Sequence, residues 1–242
     1  MTYCIGIKLK SGLVALSDTR VTSGNETTTA EKYKVYSSGE QKVFLMTSGL
    51  RSVRDKTLTY FSEVLNDRLD EYDKLYQVVN ALGDQIKRVW KEDRETLTQS
   101  GLAFNINTIV GGKLSGDKEH QLYLLYPQGN WIEIGEGSPF TIIGNSGYGT
   151  PVLRRTVSYD SSIRFALKTS FLSFDSTRVS CNDVGYPIDI IIFSKKTGNM
   201  EVKRLNKEDM ADFSKRWGEK LTAAVNDVSD DWINTIVTDE DE

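Results

Sequence analysis

Apolar residues recur in this sequence with two periods, and the order in which those periods alternate constrains the fold most. Tyr3–Leu9 alternates loosely, Ser11-Gly12 makes a tight turn, and residues 13–17 form an apolar run, the pattern of paired strands. A polar stretch at 22–29 reads as a loop, and short β-prone runs follow at 33–36 and 43–46. The period then becomes helical: Val53, Thr57, Tyr60, Phe61, Val64 and Leu65 share one stripe, and Leu75, Val78, Val79, Leu82, Ile86, Val89 and Trp90 share a second. Strand patterns return from about 102 to 143, with turns expected at Gly111-Gly112, Gln128-Gly129-Asn130 and Gly135-Glu136-Gly137. Two more helices are predicted. One follows Tyr148, with Pro151 tolerated in its first turn, and one carries Ile163, Leu167, Ser170, Phe171 and Phe174. Ile188–Ser194 and Met200–Leu205 read as a final strand pair. A last helix is predicted from Met210 through Val228 to Trp232, and the acidic tail at 238–242 is expected to fray.

Helices grouped between runs of antiparallel strands imply an α+β fold: a four-layer αββα sandwich with two central antiparallel sheets and a long C-terminal helix. No linker or repeat interrupts the pattern, so residues 1–242 are expected to form a single domain. Hydrophobic side chains make up 38% of the chain, enough for a sizeable core. The balance of 30 Lys+Arg against 34 Asp+Glu, net −4, argues against a nucleic-acid partner. Apolar runs are too short to span a bilayer, no secretory leader is visible, and the two cysteines, Cys4 and Cys181, have no metal-ligand or disulfide pattern. A cytoplasmic protein with ordinary thiols is expected.

The single histidine, His120, narrows the chemistry further. A two-histidine zinc site is impossible. A Ser-His-Asp triad would need a residue that sits in a polar run and reads as a solvated turn. Gly144-Asn145-Ser146-Gly147 fails as a nucleophile elbow because Tyr148 stands where the last glycine belongs. Gly111-Gly112-Lys113 lacks the earlier glycine of a phosphate loop and reads as a hairpin turn.

One catalytic arrangement needs no histidine. A threonine at the head of a chain can be a nucleophile with its own α-amine as base. That amine has a pKa of roughly 7.7–8.0, near working pH. Here Thr2 follows Met1, and ordinary initiator-methionine removal would expose it. Asp18 lies at the end of the second predicted strand and Lys34 at the start of a later one. Short turns would bring all three to one sheet end. The lysine would favour a deprotonated amine and stabilise a developing alkoxide, and the aspartate would hold the lysine. Thr47-Ser48-Gly49 would offer backbone N–H groups to an oxyanion.

The run from Thr2 through Gly49 resembles the β-type subunits of proteasomes. Thr2, Asp18 and Lys34 fall on that family's nucleophile, aspartate and lysine, Arg20 follows the aspartate, and Gly49 matches the oxyanion-hole glycine displaced by one position. Ser146 matches the serine beside the amine, with Asn145 as the alternative by a one-residue shift. The opening Met1-Thr2-Tyr3-Cys4, Ser173-Phe174-Asp175-Ser176-Thr177 and Gly185-Tyr186-Pro187-Ile188-Asp189 resemble the bacterial ancestral β-subunit branch, Anbu. One turn departs from the pattern: Asp183 stands where the family's serine would be and Ser180 where its aspartate would be.

The resemblance implies the N-terminal-nucleophile hydrolase fold and a threonine peptidase that needs no metal or organic cofactor. It implies self-assembly into a ring or helical turn, with peptides or unfolded proteins as substrate. An unfolding ATPase partner is left open. Two other readings remain: an amidohydrolase acting on a small amide or specific peptide, and a ring scaffold with a weakened site, motivated by Asp183.

Overall fold

In the computed structural model, residues 2–65, 68–233 and 236–237 are described. The chain divides into two units, 1–206 and 207–242.

In the first unit, β1 (Tyr3–Leu9) and β2 (Gly12–Asp18) are buried along their whole lengths, as expected of strands covered on both faces. They join β10 (Phe140–Gly144), β11 (Ile188–Ser194) and β12 (Met200–Leu205) in an antiparallel sheet of order β10-β1-β2-β11-β12. The second sheet runs β5 (Tyr33–Ser38), β6 (Gln41–Gly49), β7 (Ile106–Lys113), β8 (Gln121–Leu125) and β9 (Trp131–Glu133), in sequence order. Between the sheets, Cys4, Leu13, Ala15, Phe44, Met46 and Ile109 form one core. Helices α1 (Arg51–Leu65) and α2 (Leu75–Gln99) lay Val53, Phe61, Val79, Leu82 and Ile86 on the outer face of the second sheet. On the other side, α4 (Ile163–Ser180) packs on β1 and β2, and α3 (Thr150–Thr156) packs on α4. Each fully buried leucine, isoleucine or phenylalanine contributes roughly 1.5–3 kcal/mol. The αββα layering is the expected one, and Pro151 sits in the first turn of α3.

Several local expectations are corrected. The stretch at 22–29 is largely paired: β3 (Arg20–Ser23) and β4 (Glu26–Thr29) form a two-stranded ribbon around Gly24-Asn25, because its β-branched Val21, Thr22, Thr27, Thr28 and Thr29 suit a strand. Gly111 and Gly112 lie within β7 and mark no turn. A Cβ on Gly111 would sit 2.5 Å from the Phe44 ring, so the glycine makes room for that ring. His120 is fully buried: its ring lies 5.9 Å from that of Phe193, and Nε2 bonds the Leu9 carbonyl at 2.6 Å. An apolar neighbour and one satisfied nitrogen make the site tolerable for a neutral imidazole.

In the second unit, α5 (Lys207–Asn226) carries Glu208 and Asp209 in its first turn, where the helix dipole favours them. It stops short of the predicted end. Beyond Asn226, Ser229 Oγ accepts from the Asp231 N–H, the side-chain competition that draws Ser and Asp out of helices. The acidic tail at 238–242 lies outside the described residues. Among the described residues, no helix is long and apolar enough to cross a membrane.

Candidate active site

The antiparallel pairing of β1 with β2 matches Cys4 with Ser17, which puts Thr2 and Asp18 at the same sheet end. Tyr3 pairs with Gly144 on the other side, so three strand ends meet there. The chain enters β1 through a tight backbone clasp. Asn145 donates its N–H to the Thr2 carbonyl at 2.8 Å. Gly144 has φ +88°, and a Cβ there would collide with the Thr2 carbonyl oxygen. Glycine is therefore required by conformation and by space.

Asp18 is 0% exposed and is held on both oxygens. Its Oδ1 accepts the N–H of Tyr3, the residue after Thr2, at 2.9 Å, and its Oδ2 accepts the Gly185 N–H at 3.4 Å. The cation that meets Oδ1 is Lys32, at 2.6 Å and 3% exposed. Lys32 also donates to the Arg20 carbonyl at 2.7 Å. Burial pushes the Asp18 carboxyl above the usual carboxylate range, and the Lys32 ammonium and the two backbone N–H groups pull against that push.

Lys34, the lysine expected from spacing, is exposed on β5. This is a correction. Lys32 precedes β5 and is buried, whereas Lys34 lies within the strand and is exposed. The ribbon of β3 and β4 returns the chain after fewer residues than the spacing argument assumed, so Lys32 arrives at the sheet end and Lys34 lies one step beyond. The Lys32 carbonyl accepts the Thr47 N–H at 2.9 Å, which registers it there.

Gly49 ends β6 opposite Ile106 with φ +125°, and a Cβ would collide with the Asn105 carbonyl. Thr47 donates toward β5 and Leu50 donates to the Asn105 carbonyl at 2.8 Å, on the β7 side. N–H groups alternate sides along a strand, so the Gly49 N–H faces the β5 side, next to Lys32. Thr2, Lys32, Ser48, Gly49, Asn107 and Gly144 line one cleft of ≈ 700 Å³, whose rim includes Arg20, Arg51 and Arg54.

The remaining expected residues are nearby in the chain trace. Ser146 is exposed on the turn after Asn145, and its carbonyl accepts the Thr150 N–H and hydroxyl, which starts α3. The loop between α4 and β11, which carries Asp183, is tied to the end of β2. Pro187 accepts from the Thr19 N–H and hydroxyl at 3.0 and 2.7 Å, and Arg20 Nη1 donates to the Asn182 carbonyl at 2.7 Å. Ser180, at the position of the family's aspartate, bonds back to the Ser176 carbonyl within α4 at 2.9 Å. The thiol of Cys4 is buried beneath the site against the Thr47 carbonyl, and burial pushes its pKa far up, so it is no nucleophile.

Sequence reasoning missed Lys32 as the buried lysine, and with it Arg51, Arg54, Asn105 and Asn107 as cleft residues. For Lys32 the signal was present, two lysines two positions apart, but choosing between them needs the length of the ribbon.

Comparison with known proteins bears on the family and the fold. The family model for the proteasome subunit matches residues 2–192. No curated protein sequence matches. Among solved structures, an Anbu (Gly-1) mutant from Hyphomicrobium sp. strain MC1 superposes with TM-score 0.86 at 29% identity, covering 94% of this chain and 99% of that one. Anbu (ancestral beta-subunit) from Yersinia bercovieri gives TM-score 0.85 at 27% identity, over 94% and 98% of the two chains. The Anbu complex from Pseudomonas aeruginosa, described as a helical assembly, gives 0.84 at 25%, over 94% and 97%. The chain belongs to the proteasome subunit family, and its likeness within that family is to the ancestral β-subunit, Anbu, type.

Proposed function

We propose that this protein is a threonine peptidase of the proteasome type, with Thr2 as nucleophile once Met1 is removed. The observation that carries the reading is the placement of Thr2. It shares a cleft with the buried Lys32 and with the Gly49 N–H, and the N–H of the next residue is bonded to the carboxylate that holds Lys32. A fixed nucleophile, a fixed cation and an open backbone donor are what acyl transfer requires.

In this reading the Thr2 α-amine takes the hydroxyl proton as Oγ forms a bond to the substrate carbonyl carbon. The Gly49 N–H and the Lys32 ammonium stabilise the charge that develops on oxygen. The C–N bond then breaks, and the proton passes from the amine to the departing amide nitrogen. Water next adds to the acyl ester, losing its proton to the α-amine. The ester C–O bond breaks, and that proton returns to Oγ. Lys32 disfavours the protonated amine by like-charge repulsion. Asp18 is a positioning residue: it orients Lys32 and the Tyr3 N–H. The family pattern would put Ser146 near the amine as a supporting group, and it would put Asp183 where the family has a serine. Assembly with further copies of the chain would confine this activity, as the helical assembly of the Pseudomonas relative suggests.

Two measurements test the reading. Intact mass of the purified protein should show loss of Met1. Hydrolysis of extended fluorogenic peptides should then disappear in Thr2→Ala. A Thr2→Ala protein as active as the wild type refutes the mechanism. Hydrolysis confined to small amides moves the function to an amidohydrolase, and an assembled, processed, inactive protein moves it to a scaffold.

A further inference from the structure

The end of the sandwich opposite Thr2 has chemistry of its own. β6 runs back from Gly49 to Gln41, a length of roughly 25–30 Å at ~3.3 Å per residue, and β11 ends at Ser194 on that far side. There a cavity of ≈ 570 Å³ opens where the two sheets face each other, with Phe193 among the residues lining it. The second sheet contributes Lys42 and Lys113, and the turn between β11 and β12 contributes Lys196. Phe44 and Met46 lie in the core between the sheets, so Lys42, on the same face of β6, is directed into that space too. Lys113 stands directly opposite Lys42 in the β6–β7 pairing, and both are half-buried. Like charges directly across a strand pair repel. Among the described residues, no carboxylate pairs with Lys42, Lys113 or Lys196, whereas the neighbouring Lys195 is held by Glu119 at 2.8 Å. The one carboxylate lining the cavity, that of Glu40, is exposed in the hairpin turn. Gln41, on the same cavity, adds a second observation. Its Oε1 is shut off from solvent with no hydrogen-bond partner, and its Nε2 reaches Ser115 Oγ only at 3.5 Å. With the amide turned over, its oxygen would accept the Ser115 hydroxyl, and its N–H groups would stand where the orphaned oxygen is and call for an acceptor.

We propose that this cavity binds a compact polyanion of the oligophosphate class, held by Lys42 and Lys113 from one sheet and by Lys196 from the other. Three ammonium groups against one exposed carboxylate leave a local excess of positive charge, which an occupant with two or more negative charges would balance. A short phosphate chain carries that charge in a small volume and accepts hydrogen bonds all round. Lysine serves phosphate as a point charge, without the planar geometry that arginine brings to carboxylates. The cavity has the size of a small-molecule site. Its occupant would touch both sheets and relieve the repulsion between Lys42 and Lys113, so binding should stabilise the fold. The competing account is that these lysines only close the open end of the core with their stems and leave their ammonium groups in water. That account requires no saturable anion site. Neither account depends on the chemistry at Thr2.

The probe is inorganic tripolyphosphate, titrated into the full chain by isothermal titration calorimetry at constant ionic strength, with citrate as the comparison polycarboxylate. The wild type should bind tripolyphosphate saturably, one per chain, and about tenfold or more tightly than citrate. Its melting temperature should rise with the probe, and added salt should weaken binding. Lys42→Gln and Lys113→Gln should each weaken binding about tenfold, the scale of one charged hydrogen bond, and the double variant should show neither binding nor a thermal shift. Lys10→Gln, which removes an exposed lysine at the same end of the sandwich but off the cavity, should bind as the wild type does. Absence of saturable binding overturns the site. Equal binding by the wild type and the double variant places the anion elsewhere and overturns it as well. Citrate bound as tightly as tripolyphosphate overturns the phosphate class. If the double variant folds poorly, the single variants decide: weaker binding in both upholds the site, and unchanged affinity in both overturns it.

Discussion

Replacing Lys32 with methionine removes the one ammonium from a carboxylate that has no solvent. Asp18 is 0% exposed and Lys32 3%, so water cannot substitute for the lost partner. Losing one member of a buried pair typically destabilises by about 3–5 kcal/mol. The structure allows an independent figure. The abandoned carboxyl can escape its charge by taking a proton, and its two backbone donors, at 2.9 and 3.4 Å, are too few to hold it ionised. Neutralising a carboxyl of ordinary pKa near 3.9 at pH 7 costs about 3 pH units at ~1.4 kcal/mol each, roughly 4 kcal/mol. At pH 5 the same step costs only about 1.5 kcal/mol. The folded pKa of Asp18 in this variant lies above its unfolded value. Its stability is therefore fully retained below about pH 4 and is lost as pH rises toward the folded pKa. Urea unfolding followed by circular dichroism, at fixed protein concentration, should show a deficit that grows from pH 5 to pH 7. The melting temperature at pH 7 should fall by roughly 6–20 °C for a unit of this size. Asp18→Asn combined with Lys32→Met should recover most of the loss and all of the pH dependence, while peptide hydrolysis stays absent. Lys34→Met, on the exposed strand face, should change stability by no more than about 0.5 kcal/mol and leave hydrolysis in place. A deficit below about 1 kcal/mol at pH 7, a deficit flat with pH, or an equal penalty for Lys34→Met would refute the assignment of Lys32.

Two further predictions concern glycine and histidine. Gly144→Ala should displace Thr2, because the new methyl group meets its carbonyl at a backbone angle that disfavours alanine. It should cost about 1–3 kcal/mol and tenfold or more in hydrolysis, while Gly147→Ala, with open space around it, should change neither in thermal melts and peptide assays. Burial lowers the His120 pKa, helped by the nearby Lys8 and Lys195 and opposed by the Leu9 carbonyl and Glu119. The unfolded chain therefore binds the proton first, so the contribution of His120 is complete above about pH 6.5 and declines below it, by no more than about 1.4 kcal/mol per pH unit. Melting curves from pH 7.5 to 5.0 should show this decline in the wild type. If His120→Gln falls equally with pH, the decline does not come from the imidazole.

The layer order was legible because long periodic segments dominate this chain. The α2 stripe of Val78, Val79, Leu82 and Ile86 and the fully buried β1 and β2 leave little freedom in how layers stack. What escaped was local and depended on tertiary partners. Polar threonines at 27–29 read as loop, because nothing in their own pattern announces the pairing with β3. Glycines at 111–112 read as a turn, because the Phe44 ring that needs the space lies on another strand. His120 read as solvated, because both groups that make burial tolerable, the Leu9 carbonyl and the Phe193 ring, are remote in sequence.

The candidate site divides along the same line. Thr2, Asp18 and Gly49 sit at strand ends, and strand ends are set by register, which hydrophobic alternation specifies to the residue. Lys32 enters from an irregular return after a two-stranded ribbon, where no periodicity counts residues. Lys32 lies just before β5 and Lys34 within it, so sequence periodicity could not separate the two. Hydrogen bonding could. Only the residue whose own carbonyl is fixed by the Thr47 N–H is placed to reach Asp18 and the Arg20 carbonyl together. The same reasoning explains why the arginines were invisible. Arg51 and Arg54 begin a surface helix whose stripe announces packing, and their meaning comes from the cleft that the end of β6 opens beside them. Chemistry that depends on the ends of regular elements can be read from a sequence. Chemistry that depends on where irregular segments return the chain needs the fold.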